Sequence, residues 1–402
     1  MTSNLPLPSA EDRPLFFALL LNFALFGVTV TIIGSVVPQV IRQYDWSYIA
    51  TGAVLAASSF GYFTSSFISG VLTERLGPKR VILLGLALQS LGLALFGMVE
   101  SVAVNLVATL FLGLGQGATE VVTNFCVAGM ERSGQSRLMN LMHAAFPVGA
   151  ISGPVLTGTI MTSGGRWEMA FRLAAVLTLG MTVLLGLLRF GKRYETEREA
   201  APKTSISKLV RNPLLIFLSL TILLYVGAEI GVSSWISEYF VKSFGYAPSS
   251  AAFLVSFFWS GILVGRVAVS VYSGFRQAEL LLVLSFVSAI SLVFSLLAAS
   301  PVVASIGFIA CGLGLSAIYP IDMALVGNNY RKGTSVAMGI VSTGGGLGSF
   351  SFPFLMAAIA QSYGIGRGFW FYAIVSVIMA GSAGAVVYLL RARKAERPTH
   401  KP

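Results

Sequence analysis

Twelve apolar runs of roughly twenty residues or more punctuate the chain, and a run of that length is what an α-helix needs to cross a bilayer core. They fall at about 15–41, 48–73, 80–99, 102–130, 138–163, 168–190, 213–240, 250–274, 279–299, 302–328, 334–361 and 367–390. With 55% hydrophobic and only 11% charged residues, the chain lacks the roughly one-quarter charged composition of soluble domains. The expectation is an all-α, multi-pass integral membrane protein of the cell's inner or plasma membrane.

The chain also reads twice. Gly113, Gly115, Glu120, Asn124, Asn140, His143, Gly149 and Pro154 stand 199 positions before Gly312, Gly314, Tyr319, Met323, Gly339, Ser342, Gly348 and Pro353. Glycines and the proline persist across this spacing while Glu120, Asn124 and His143 are replaced. The shared positions are therefore architectural, and chemistry is expected where the copies differ. The longest polar segment, 191–212, lies between the copies. The predicted organisation is a six-helix bundle over 1–190, a linker over 191–212, and a second, pseudo-symmetric six-helix bundle over 213–402 ending in a short basic tail.

If both ends lie on the cytoplasmic side, twenty-one Lys and Arg residues fall in cytoplasmic segments and five in outer ones, with Arg266 inside a span. That asymmetry predicts cytoplasmic termini. The net charge of +11 is explained by these flanking residues and their attraction to lipid headgroups. No nucleic-acid motif accompanies it, and no nucleic-acid partner is expected. Cys126 and Cys311 lie within spans without metal-ligand spacing, so they read as small core residues, and no metal or cofactor is predicted.

Between spans two and three runs Gly70-Val-Leu-Thr-Glu74-Arg75-Leu-Gly77-Pro78-Lys79-Arg80. This segment resembles the signature loop of the major facilitator superfamily, with Glu where Asp is commoner. Gly70 is expected to permit close helix approach. Glu74, Arg75, Lys79 and Arg80 are expected to form a charge cluster that holds one conformation shut. In the second half the matching stretch, 270–276, has lost the acid, so the latch is predicted to be asymmetric.

Three further segments resemble the fucose/galactose/glucose proton symporter family within that superfamily. They are Leu112-Gly-Leu-Gly-Gln116-Gly-Ala-Thr-Glu120-Val-Val-Thr-Asn124, then Asn140-Leu-Met-His143-Ala-Ala-Phe146-Pro-Val-Gly149, and Tyr225-Val-Gly-Ala-Glu229-Ile-Gly231-Val-Ser-Ser-Trp235. The resemblance implies a monomeric transporter whose two bundles rock in alternating access, a protonatable Glu120 and an Asn124 facing the cavity, and a sugar substrate. One departure is clear: where those symporters carry an acid before Pro-Gln in the first helix, this chain has Gly34-Ser-Val-Val-Pro38-Gln39.

The residues themselves point the same way. A carboxylate near mid-bilayer costs roughly 2.5–3.5 kcal/mol, so Glu120, Glu229 and Asp322 are expected to line a cavity or to pair. Glu120 and Asn124 are four apart and share a helical face. Glu120 is the expected coupling residue, with His143 as a relay candidate because imidazole titrates near ~6.5. Asn124, Glu229 and Trp235 are the expected sugar ligands, the indole face stacking on a hexose while carboxylate and amide read its hydroxyls. Gln116, Asn22 and Trp259 are further cavity candidates. Arg266 and Asp322, both in the cytoplasmic halves of their spans, are expected to pair or to share a network as a gating or structural element.

The resulting expectation is a cation-coupled importer of a small polar solute of the hexose type, driven by protons, with sodium as the alternative ion. The rival is a proton-coupled exporter or flippase of amphipathic drugs or lipids, since one fold hosts both. An enzyme is not expected, because no nucleophile and base pair or metal set is present.

Overall fold

The computed structural model describes residues 8–131, 137–191, 206–271, 276–330 and 334–395. Its first half comprises α1 (Arg13–Tyr44), α2 (Tyr48–Leu76), α3 (Pro78–Leu95), α4 (Val102–Met130), α5 (Arg137–Thr162) and α6 (Glu168–Leu187). A short helix, α7 (Ile206–Val210), precedes α8 (Pro213–Phe244), α9 (Pro248–Val271), α10 (Gln277–Leu297), α11 (Pro301–Leu315), α12 (Ile318–Asn329), α13 (Thr334–Tyr363) and α14 (Ile365–Ala395). Among the described residues twelve spans are long and apolar enough to cross a membrane, and no strand is present. The tenth span is built from α11 and α12 in succession. Large apolar side chains such as Phe17, Val176, Ile290 and Leu297 stay exposed on the exterior, where a bilayer rather than water suits them. Most of the linker expected at 191–212, the stretches 132–136, 272–275 and 331–333, the basic tail from 396, and the charges counted in them lie outside the described residues.

The internal repeat is expressed as repeated packing. In the first half α3 rests on α4 and α6; in the second α10 rests on α11 and α14. A Cβ placed on Gly149 of α5 would strike the carbonyl of Ala24 on α1, and one placed on Gly348 of α13 would strike the carbonyl of Leu223 on α8. Both members of each contact are 199 positions apart. Gly115 likewise meets Gly85 and Gln89 on α3, as Gly314 meets Leu284 and Ser288 on α10. The recurring glycines are thus the points where backbones touch, which is how small residues hold helices together in lipid. Pro154 and Pro353 lie inside α5 and α13 at matching places.

The chain groups into two compact units, 1–199 with 234–256, and 200–233 with 257–402. The first therefore includes the C-terminal part of α8 and the N-terminal part of α9. Ser237 donates to the Gly34 carbonyl at 2.5 Å, Ser256 donates to the Ile151 carbonyl at 2.8 Å, and the Tyr48 hydroxyl donates to Glu238 at 3.0 Å. Glu238 is 1% exposed, a buried acid satisfied by that phenol.

Gly149→Val and Gly348→Val should each destabilise the protein by about 1–3 kcal/mol, the usual cost of forcing atoms into a filled contact. Gly70→Ala is the contrast. A Cβ there meets nothing within 4 Å, so losing glycine's freedom mid-helix should be neutral or mildly stabilising. Melting curves of the detergent-solubilised variants measure both.

Candidate functional site

In the first unit, α4 carries the chemistry because of how its glycines let neighbours in. Gly113 and Gly117, four apart on one face, lie against the Ser58 and Tyr62 carbonyls of α2. That close crossing brings the Tyr62 side chain to the next turn of α4, where its hydroxyl donates to Glu120 Oε2. Glu120 is half-buried. The Phe26 ring of α1 stacks parallel to Tyr62 with centroids 6.4 Å apart, and also meets Phe146 of α5 edge-on at 5.1 Å. His143 stands edge-to-face against Phe23 at 4.9 Å. One turn beyond Glu120, the Asn124 Oδ1 is buried without a hydrogen-bond partner. An acid with a phenol donor, an idle amide acceptor and aromatic faces can together bind a hydroxyl-bearing solute and exchange a proton.

Asn22 and Gln116 serve the scaffold instead of standing idle. Asn22 Nδ2 donates to Thr123 Oγ1 at 3.3 Å, and Gln116 Nε2 and Gln89 Nε2 both donate to Thr29 Oγ1 at 3.1 Å. All of these groups are buried, so they tie α1 to α3 and α4. Trp235 is 0% exposed, which removes a lipid-anchor role. It stands edge-on to Tyr48 at 5.8 Å, and its Nε1 is unpartnered.

The second unit holds a separate ionic cluster. Glu229 Oε1 accepts the Tyr225 hydroxyl at 2.6 Å and lies 3.8 Å from Arg266 Nη2. Tyr225 precedes Glu229 by one helical turn, the spacing that lets side chains of one helix meet. Arg266 Nε also donates to the Ser316 carbonyl at 3.0 Å. That carbonyl is free because Pro320, four residues on, has no N–H to offer it. The same proline explains why α11 stops at Leu315 and α12 restarts at Ile318. The expected pairing of Arg266 with Asp322 is therefore corrected: the guanidinium is taken by Glu229 and by the carbonyl at the helix break, and both Asp322 oxygens are unpartnered. Trp259 is buried, and its Nε1 donates to Ser233 at 2.8 Å.

A family profile matches the greater part of the chain. The Major Facilitator Superfamily profile covers residues 19–336. The chain belongs to this superfamily of membrane transporters. A relative is an uncharacterized MFS-type transporter of Yersinia pestis, 24% identical over 91% of this chain and 94% of its own. Among solved structures, the E. coli fucose:proton symporter FucP is 21% identical with a TM-score of 0.65, covering 94% of this chain and 99% of that one. A D-xylose-proton symporter is 16% identical with a TM-score of 0.76, covering 93% and 97%. At those identities the likeness establishes the shared fold.

The superfamily's signature loop departs from the sequence expectation. Gly70 is exposed with open space around it rather than pressed on a neighbour. Glu74, Arg75 and Arg80 are exposed, and no ion pair joins them among the described residues. Lys79 instead donates to the Leu188 carbonyl at 2.9 Å. Leu188 caps the end of α6, where carbonyls lack helical partners and attract a cation. The predicted charge latch is not formed in this arrangement. In the matching second-half stretch, 272–275 lie outside the described residues, and Arg276 pairs with Glu279 at 3.6 Å.

Two features were missed in the sequence. Tyr62, the donor to Glu120, has no signal in a span with several aromatics. The Tyr225–Glu229 pair is the second, and its spacing of four along one helix is the signal that could have found it.

Proposed function

We propose that this chain is a secondary active transporter of a small polar solute of the hexose type, working by alternating access and coupled to protons through Glu120. One observation carries the reading. An intramembrane acid, hydrogen-bonded by the Tyr62 phenol and by the side chain of Asn124, stands one turn from that residue's amide oxygen, which has no protein partner. The acid suits proton exchange, since a carboxyl removed from water tolerates its neutral form. The amide suits a solute hydroxyl, which would satisfy an acceptor otherwise left idle. Two solved structures of like fold are named as proton symporters of fucose and of D-xylose, which supports the choice of solute. His143 is a relay candidate, and Glu229 and Trp235 are further solute ligands to be tested. No cofactor takes part, the chain works as a monomer, and the basic-residue asymmetry of the sequence supports cytoplasmic termini.

The aromatic layer of Phe23, Phe26 and Phe146, joined through Phe26 to Tyr62, the partner of Glu120, favours a second reading, export or flipping of an amphipathic drug or lipid. Purified protein in proteoliposomes with an imposed inward proton gradient distinguishes them. Accumulation of a labelled hexose, suppressed by a protonophore, is the expected result. Movement of a lipophilic dye or labelled lipid with no sugar uptake overturns the sugar assignment.

A further inference from the structure

Asp322 lies on α12 and is 0% exposed, and neither carboxyl oxygen has a hydrogen-bond partner. The repeat explains why. The position 199 residues earlier is Thr123, whose hydroxyl oxygen accepts the Asn22 amide at 3.3 Å. The residue matching Asn22 is Thr221, and its hydroxyl is already engaged, at 2.8 Å from the Phe217 carbonyl and 2.9 Å from Ser382 Oγ. The second copy thus carries an acid where the first carries a neutral group, without the amide donor.

Among the described residues no charge answers it from the surrounding helices. α12 packs on α10 and α13. α10 contributes only Glu279, which is itself held by Arg276 at 3.6 Å and Arg391 at 3.1 Å. α13 has neither acid nor base before Tyr363, and α11 offers only the thiol of Cys311, 3.6 Å from Ser288 Oγ. Arg266 of α9 is committed to Glu229 of α8 and to the Ser316 carbonyl. An ionised carboxylate in such a place would be an uncompensated buried charge, whereas a neutral carboxyl is an ordinary unsatisfied polar group.

We propose that Asp322 is a proton-binding site, holding in this arrangement a proton taken from water onto one of its carboxyl oxygens. The site goes beyond the coupling role of Glu120 and does not depend on which solute is carried. Its release when water reaches α12 returns one proton and leaves one negative charge in the second unit. The protein then carries a titrating acid in each repeat, at non-equivalent positions.

Infrared spectroscopy of the purified protein at neutral pH tests this without any transport. Subtracting the spectrum of Asp322→Asn from wild type should leave a carboxylic-acid carbonyl band that shifts in D2O, and the variant should melt close to wild type because one neutral group replaces another. Asp322→Thr, the residue of the matching first-half position, is the second variant and should behave alike. Loss of ionised-carboxylate bands instead, failure of both neutral variants to fold, or stabilisation of wild type by sodium chloride over choline chloride that Asp322→Asn abolishes would each overturn the proposal. Glu120→Gln measured in parallel should remove a different band, so failure at Asp322 is distinguishable from failure of the coupling role given to Glu120.

Discussion

Glu120→Gln should bind and exchange solute yet fail to concentrate it. Glutamine keeps the shape of the side chain and an oxygen to accept the Tyr62 hydroxyl, and it removes only the capacity to take up and release a proton. A coupled cation gains about 2.3 kcal/mol per 100 mV, enough for ~50-fold accumulation at about 1.4 kcal/mol per factor of ten. The variant should therefore fall from that ratio to simple equilibration under the same gradient. Exchange of labelled for unlabelled solute with no gradient should persist, because reorientation with solute bound need not require the proton to leave. The inside-to-outside ratio of labelled solute in proteoliposomes, beside the exchange rate in the same preparation, reads both. Undiminished accumulation by Glu120→Gln would move coupling to another group. Loss of exchange together with accumulation would mark Glu120 as a solute ligand or a structural residue.

The spans were legible because length and apolarity are properties of the chain itself. So were the glycine contacts, once the second copy showed which glycines recur. The break in the tenth span was harder to read. Pro320 ends a helix there, yet Pro154 and Pro353 sit within unbroken helices, so proline alone does not decide. Nor does an outside donor to the freed carbonyl decide: Arg266 takes that of Ser316 at the break, yet Ser237 takes that of Gly34 while α1 runs unbroken through Pro38. The acids stood out because a charge inside an apolar run is costly, but their partners did not. Tyr62 and Glu120 are 58 residues apart, on helices whose relative rotation the sequence leaves open. The expected Arg266–Asp322 pair failed for the same reason: membrane depth can be counted along a span, whereas the direction a side chain faces depends on its neighbours. Gln116 and Asn22 looked available as lone polar groups, and only packing shows them occupied by Thr29 and Thr123.

Arg266→Leu should be the most damaging single change in the second unit. The guanidinium bridges two groups that nothing else serves together: the carboxyl of Glu229, which is 7% exposed, and the Ser316 carbonyl at the junction of α11 and α12. Removing one member of a buried ion pair typically costs 3–5 kcal/mol because the other charge is stranded. Here the 3.8 Å separation and a guanidinium that is 26% exposed place the loss near the low end, at about 3 kcal/mol. Adding Glu229→Gln should recover part of it, since the stranded charge is gone, and the sum of the two single losses minus the loss in the double variant is the coupling energy, expected at about 1–2 kcal/mol for groups in contact. Arg266→Lys should fall between, because a single ammonium lacks the planar fork that reaches a carboxyl and a carbonyl at once. Melting curves for the two single variants and the double variant settle the partition. Strict additivity would mean that Arg266 acts through the Ser316 carbonyl alone, making it a brace for the broken helix rather than the counter-charge of Glu229.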